Sequence, residues 1–145
     1  MSLDATDIAI AIRNLSPDDS AFVFSSWLRN YRASSIIVKN VLDSVYFPKH
    51  HRLIESILAR RECRTRIAYV AGDPHTIIGY LVAEATLPRP ILHWIYVKSA
   101  FRRMGVATEL LGGLDPNDCS FTHWTSTTNA LLYKWPRAVY DPYLL

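Results

Sequence analysis

Cysteine is scarce: Cys63 and Cys119 are the only two in 145 residues. Two thiols are too few for a disulfide framework, so both are expected as buried, reduced side chains, which fits a cytoplasmic location. Long apolar runs are missing too. None approaches the roughly 18–20 residues that span a bilayer, so no membrane partner is expected. Met1 to Asp7 has no basic segment leading into an apolar one, so no secretory signal is expected. Metal-ligand spacing is absent: His50-His51, His75 and His123 follow no zinc pattern, and loop or surface positions are expected for them. No Gly-x-Ser-x-Gly and no reactive-cysteine motif points to a covalent enzyme. Without zinc-finger spacing, an RNP signature or a long basic arm, nucleic acid is not the leading partner. The chain shows no repeat, low-complexity tract or linker, and is read as one domain over residues 1–145.

What is present suits a folded enzyme-sized domain. Half of the residues are apolar and a fifth are charged, enough to bury a core and stay in solution. The net charge of +3 comes partly from two clusters. Arg60, Arg61, Arg64 and Arg66 read as a solvated basic face, whereas Arg102 and Arg103 stand where a phosphate can be met.

Strands and helices alternate, which argues for an α/β or α+β fold. Asp7 to Arg13 alternates Ile with Ala and reads as a first strand. Ser16-Pro17-Asp18-Asp19 carries helix-start chemistry, and Val23, Trp27 and Tyr31 then follow at helical spacing. Ile36 to Tyr46 is again apolar at helical spacing. Another helix is expected after Pro48, with Leu53, Ile54, Ile57 and Leu58 on one face. Arg66 to Ala71 and Thr76 to Ala85 read as a hairpin turned at Gly72-Asp73-Pro74. Ile91 to Val97, rich in branched and aromatic residues, is the clearest strand. Val106 to Leu111 reads as a helix ended by Gly112-Gly113. Cys119 to Thr125 reads as a strand, Asn129 to Trp135 as a short helix stopped by Pro136, and Val139 to Leu145 as a last strand.

The most informative segment runs from Val97 to Ala107. A strand passes into a turn, and the turn opens a helix. The first amides of a helix have no internal acceptor and can converge on an anion. Gly105 lets the backbone approach a ligand, and Ala107 keeps the helix close. The segment is neither a P-loop nor the three-glycine Rossmann turn.

Val97, Arg102, Gly105 and Ala107 stand at the positions of a known pattern, Arg/Gln-x-x-Gly-x-Gly/Ala preceded by a strand that ends in valine. In this the chain resembles the GNAT family of acetyl-CoA-dependent N-acetyltransferases. The opening from Arg13 through Asp18, the strand at Thr76 to Ala85 and the segment from Asn129 to Lys134 are similar to further parts of that family. The compact chain is also similar to small GNAT-like proteins of tailed-phage genomes. The resemblance implies a mixed central sheet of about six to seven strands flanked by about four helices. It implies acetyl-CoA as co-substrate, no metal, and an amine acceptor. Ile95, Tyr96 and Val97 would offer backbone groups to the pantetheine arm. Main-chain amides of Arg103, Met104, Gly105, Val106, Ala107 and Thr108 would take the diphosphate. Asn129 would sit near the pantetheine and Tyr133 near the departing thiolate.

The reaction needs a base for the amine and a proton for the thiolate. His93 is the first candidate base, on the face of Ile95 and Val97 by period two. A histidine there resembles the arylalkylamine branch of the family, whose second histidine is Ile91 here. Glu84 is the second candidate, and Tyr133 is the candidate acid. The acceptor side would hold Trp27, Tyr31, Arg32, Tyr46, Phe47, Tyr140 and Tyr143, read mainly as core or interface packing. A small amine, a polyamine and a protein amine all remain open as acceptor, and exposed aromatics admit a homodimer. The alternative reading is a GNAT-fold binding or assembly protein without catalysis.

Overall fold

The computed structural model describes residues 8–86 and 88–145. Residues 1–7, including the start of the strand expected from Asp7 and the absent-signal segment, lie outside the described residues. Among the described residues six strands form one sheet in the order β1-β2-β3-β4-β5-β6. They are β1 (Ile10–Asn14), β2 (Cys63–Val70), β3 (Asp73–Glu84), β4 (Ile91–Val97), β5 (Ser120–Phe121) and β6 (Val139–Tyr140). The first four are antiparallel neighbours; β5 runs parallel to β4, and β6 parallel to β5. Among the described residues four α-helices accompany them: α1 (Ser20–Ser34), α2 (Asp43–Leu58), α3 (Val106–Leu111) and α4 (Ser126–Leu131).

Strand alternation divides the apolar residues between the two sheet faces. Ile67, Tyr80, Val82 and Trp94 pack with Val23, Trp27, Ile54 and Ile57 of α1 and α2. Ala68, Ile78, Leu81 and Leu92 pack with Val106 and Leu110 of α3. This is the mixed sheet between helical layers that the sequence implies. Both cysteines are buried and free, and burial pushes each thiol up to about 11. No helix among the described residues is long and apolar enough to cross a membrane.

Several elements differ from expectation, each for a local reason. Residues 36–42 form turns, not a helix, and Ile36 and Leu42 stay exposed. Arg32 holds this segment by donating to the Val38 carbonyl and to Asp43. The helix starts at Asp43 and runs through Pro48. Near a helix start a proline forfeits one backbone bond, and the buried faces of Tyr46, Ile54 and Ile57 outweigh it. The hairpin turns on Ala71-Gly72, with Gly72 at φ 87°. Asp73 opens β3, and Pro74 falls in the irregular stretch between Val70↔Asp73 and Tyr69↔Ile77, where no regular ladder bond is asked of it. β5 ends at Phe121 because its neighbour diverges there. Thr125 caps α4 by accepting from the Thr128 amide at 3.1 Å, so that helix begins before Asn129 and has ended before Trp135. The tail keeps only Val139–Tyr140 as strand before Asp141-Pro142 turns it.

The first arginine cluster is not simply a solvated face. Arg66 donates to the carbonyls of Leu110 and Leu111 at 2.9 and 3.1 Å, closing the end of α3. Arg60 reaches Glu84 and the Leu144 carbonyl.

Candidate active site

The site follows from where two parallel strands stop pairing. β4 and β5 share only Ile91↔Ser120 and Leu92↔Phe121. β4 runs on to Val97, while the chain after Phe121 leaves the sheet and enters α4. The opening is a cavity of about 370 Å³. Ile95, Tyr96 and Val97 line one wall, and Phe121, His123 and Thr125 line the other. Asn30 and Ser34 of α1 stand at one end, and Arg102 and Ala107 at the other. The cavity therefore links the two helical layers through the parted sheet.

At the Arg102 end the backbone is shaped for an anion. Arg102 is extended, and its Nε donates to the Val97 carbonyl at 3.3 Å, tying the turn to the strand end. Arg103 and Gly105 both take positive φ, 64° and 80°. Those two left-handed residues reverse the chain into α3, and at φ 80° glycine avoids the Cβ strain of other residues. A Cβ at Gly105 would meet no atom within 4 Å, so the space above the turn is open. No side chain caps α3, which leaves its first amides, at Val106, Ala107 and Thr108, without a helical acceptor. Glu109 is the first to bond back, to the Gly105 carbonyl at 3.0 Å.

The acid–base candidates are less evenly placed. β4 carries a bulge: Val82 pairs with Trp94 and Ala83 with Leu92, so His93 is the extra residue. The bulge breaks period two, and His93 does not share the face of Ile95 and Val97. Instead its Nε2 lies 2.9 Å from Glu84 Oε2 and its Nδ1 2.9 Å from Thr122 Oγ1. Glu84 is buried, and the same oxygen accepts from Arg60 at 3.2 Å. Tyr133 is 92% exposed and Asn129 is also exposed; neither lines the cavity. The early start of α4 turns both away, and Thr128 and Leu132 take their places on the wall.

Three buried residues were not anticipated. Thr122 Oγ1 also lies 2.9 Å from His123 Nδ1, and His123 Nε2 lies 3.0 Å from His50 Nε2. The adjacent Thr122-His123 pair, inside the strand expected over Cys119 to Thr125, was a usable signal. His50 offered none, because its partner is on a distant element. Burial lowers all three histidines: His50 to about 4, His123 well below its ordinary value with help from His50 and His93, and His93 against the opposing pull of Glu84. Among the described residues no group of three or more His, Cys, Asp or Glu side chains is close enough to hold a metal ion.

The profile of the Acetyltransferase (GNAT) family matches residues 24–114. The chain belongs to this acetyltransferase family. The match runs from within α1 through the Gly105 turn and α3, so it takes in β4 and the turn but stops short of β5. No curated protein matches the chain in sequence. Among solved structures, the chain is similar to YycN of Bacillus subtilis, a proposed acetyltransferase, at 12% identity and TM-score 0.67, covering 92% of this chain and 94% of that one. It is similar to the PaiA N-acetyltransferase of Thermoplasma acidophilum in complex with coenzyme A, at 16% identity and TM-score 0.59, covering 88% of each chain. It is also similar to the aminoglycoside N-acetyltransferase AAC(6')-Iy in complex with a bisubstrate analogue, at 17% identity and TM-score 0.52, covering 92% of each chain. At such identities the likeness is one of GNAT fold.

Proposed function

We propose that this GNAT domain transfers an acetyl group from acetyl-CoA to a primary amine by direct attack on the thioester. One observation carries the reading: the slot between the parted strands β4 and β5 runs into the open, left-handed turn at Gly105. The residues fit the co-substrate. Amides from Arg103 to Thr108 would take the diphosphate at the free helix start, with Arg102 beside them. Backbone groups of Ile95, Tyr96 and Val97 would hold the pantetheine arm along the wall. The coenzyme A complex of the PaiA enzyme, a neighbour in fold, supports that ligand class.

In the reaction the amine nitrogen bonds to the acetyl carbon as the carbon–sulfur bond breaks. The nitrogen loses a proton and the thiolate gains one. The amine would approach from the end near Asn30 and Ser34. His93 would receive its proton at Nδ1 once the Thr122 hydroxyl releases that nitrogen, and Glu84 would then face an imidazolium. Tyr133 has no part in this reading, because its ring points to solvent.

Calorimetry with coenzyme A tests the cofactor half. Wild-type protein should bind it, and Gly105→Trp should lose binding at least about tenfold while remaining folded, because the indole fills the space the diphosphate needs. Equal affinity in the two proteins would remove the cradle. A second reading, a GNAT-fold binding protein without turnover, is favoured by one observation: both ring nitrogens of His93 are engaged in the resting structure. Coenzyme A binding with no acetylation of any amine in a broad panel would select it.

A further inference from the structure

We infer that Thr122, His123 and His50 are positioning residues of this site, holding His93 in one tautomer and pinning β4 to β5 where the slot begins. The last backbone pair of these strands is Leu92↔Phe121. The residues that follow this pair in the chain, His93 within β4 and Thr122 just past the end of β5, are joined by side chains at 2.9 Å. The side-chain bond thus continues the ladder for one more step and marks the apex of the slot. From there the bonds run on through His123 to His50, tying α2 to the same point.

The direction of every bond follows from one end. Arg60 donates to Glu84 Oε2, which leaves that oxygen an acceptor towards His93 Nε2–H. A neutral His93 then offers a bare Nδ1, so the Thr122 hydroxyl donates to it. Thr122 accepts in turn from His123 Nδ1–H, and the bare His123 Nε2 accepts from His50 Nε2–H. His93, Thr122 and His123 each donate once and accept once, head to tail from His50 to Glu84, with all three rings neutral. The surroundings enforce neutrality. Tyr31 packs against His123 and His50 with ring centres at 4.6 and 5.0 Å, Tyr46 stacks on His50 at 5.2 Å, and Trp27 meets His123 at 5.2 Å. A buried polar chain inside such an aromatic shell is retained at a cost to stability, and replacing it with apolar side chains would pack as well. Its placement is what distinguishes it: two of its rings, His93 and His123, back opposite walls of the cavity.

The catalytic part of this inference rests on the acetyl-transfer reading, and the test separates the two. Ring-nitrogen NMR of the full chain at neutral pH should find His93 and His50 protonated at Nε2 and His123 at Nδ1, the tautomer that free histidine disfavours. Thr122→Val keeps the side-chain shape and removes the hydroxyl. It should shift the His93 and His123 ring signals together and lower kcat about tenfold to a hundredfold, with KM for acetyl-CoA changed less than about twofold. Thr122→Ser should restore both signals and rate. His123 found as the Nε2–H tautomer in the wild type overturns the chain of bonds whatever the activity. An unchanged rate in Thr122→Val overturns the positioning role. Wild-type protein with the expected tautomers and no turnover on any amine overturns the acetyl-transfer reading instead.

Discussion

His50, His93 and His123 are 8%, 2% and 3% exposed, so each must take up a proton on unfolding in mild acid. Their folded-state values are lowered, while the unfolded chain titrates near 6.5. The unfolded state therefore binds more protons below that value. Stability should be full above about pH 7 and fall as the pH drops towards the folded value of His50, about 4. His50 alone accounts for about 2 kcal/mol by about pH 5, a fall in Tm of roughly 5–10 °C. Thermal melts followed by circular dichroism at the two pH values would show it, and an unchanged Tm would contradict neutral, buried rings. Asp19 adds to the loss at lower pH, because its hydrogen bond from Arg13 holds the carboxyl below its usual range. None of this was legible from composition. A histidine reads as a loop residue until its burial is known, whereas the two cysteines could be placed inside because a small apolar side chain has no competing preference.

Among the elements, α3 shows how a short helix depends on others. Six residues do not sustain a helix alone. Val106 and Leu110 are buried against the sheet, and Arg66 from β2 takes the free carbonyls of Leu110 and Leu111. Gly112 follows in a left-handed conformation, and a Cβ there would lie 2.5 Å from the Arg66 guanidinium. Arg66→Ala should cost about 1–2 kcal/mol of unfolding free energy, since it removes a cation and its bonds from a helix end. Urea denaturation would measure this, and a loss below about 0.3 kcal/mol would reduce Arg66 to a surface charge. The bounds of β4 and α3 were legible because strong patterns end there in definite stop signals. Those of α2 and α4 were not. Pro48 reads as a break in sequence, but the burial behind it carries the helix through. Asn129 reads as a helix start, but Thr125 had already capped the turn.

Across the whole molecule, the sheet separates two apolar cores and parts between β4 and β5 to let a cavity through. Gly79 sits where that arrangement is tightest. A Cβ on it would meet the Tyr96 carbonyl oxygen at 2.5 Å and Val97 Cα at 3.3 Å, both backbone atoms of the slot wall. Gly79→Ala should therefore displace Tyr96 and Val97, lowering stability by about 2 kcal/mol and weakening coenzyme A binding with it. Melting and calorimetry on the one variant would test both, and intact binding in a destabilised protein would separate the wall from the site. The sequence by itself determined the strand Ile91–Val97, the turn to Gly105 and the helix after it, because local conformational rules act over a few residues and leave a readable pattern. Only the tertiary structure decided that His93 bulges out of period two, that Glu84, Thr122, His123 and His50 join it, and that Tyr133 faces water. Those outcomes depend on hydrogen bonds and packing between residues as far apart as His50 and His123, whose meeting no local pattern encodes.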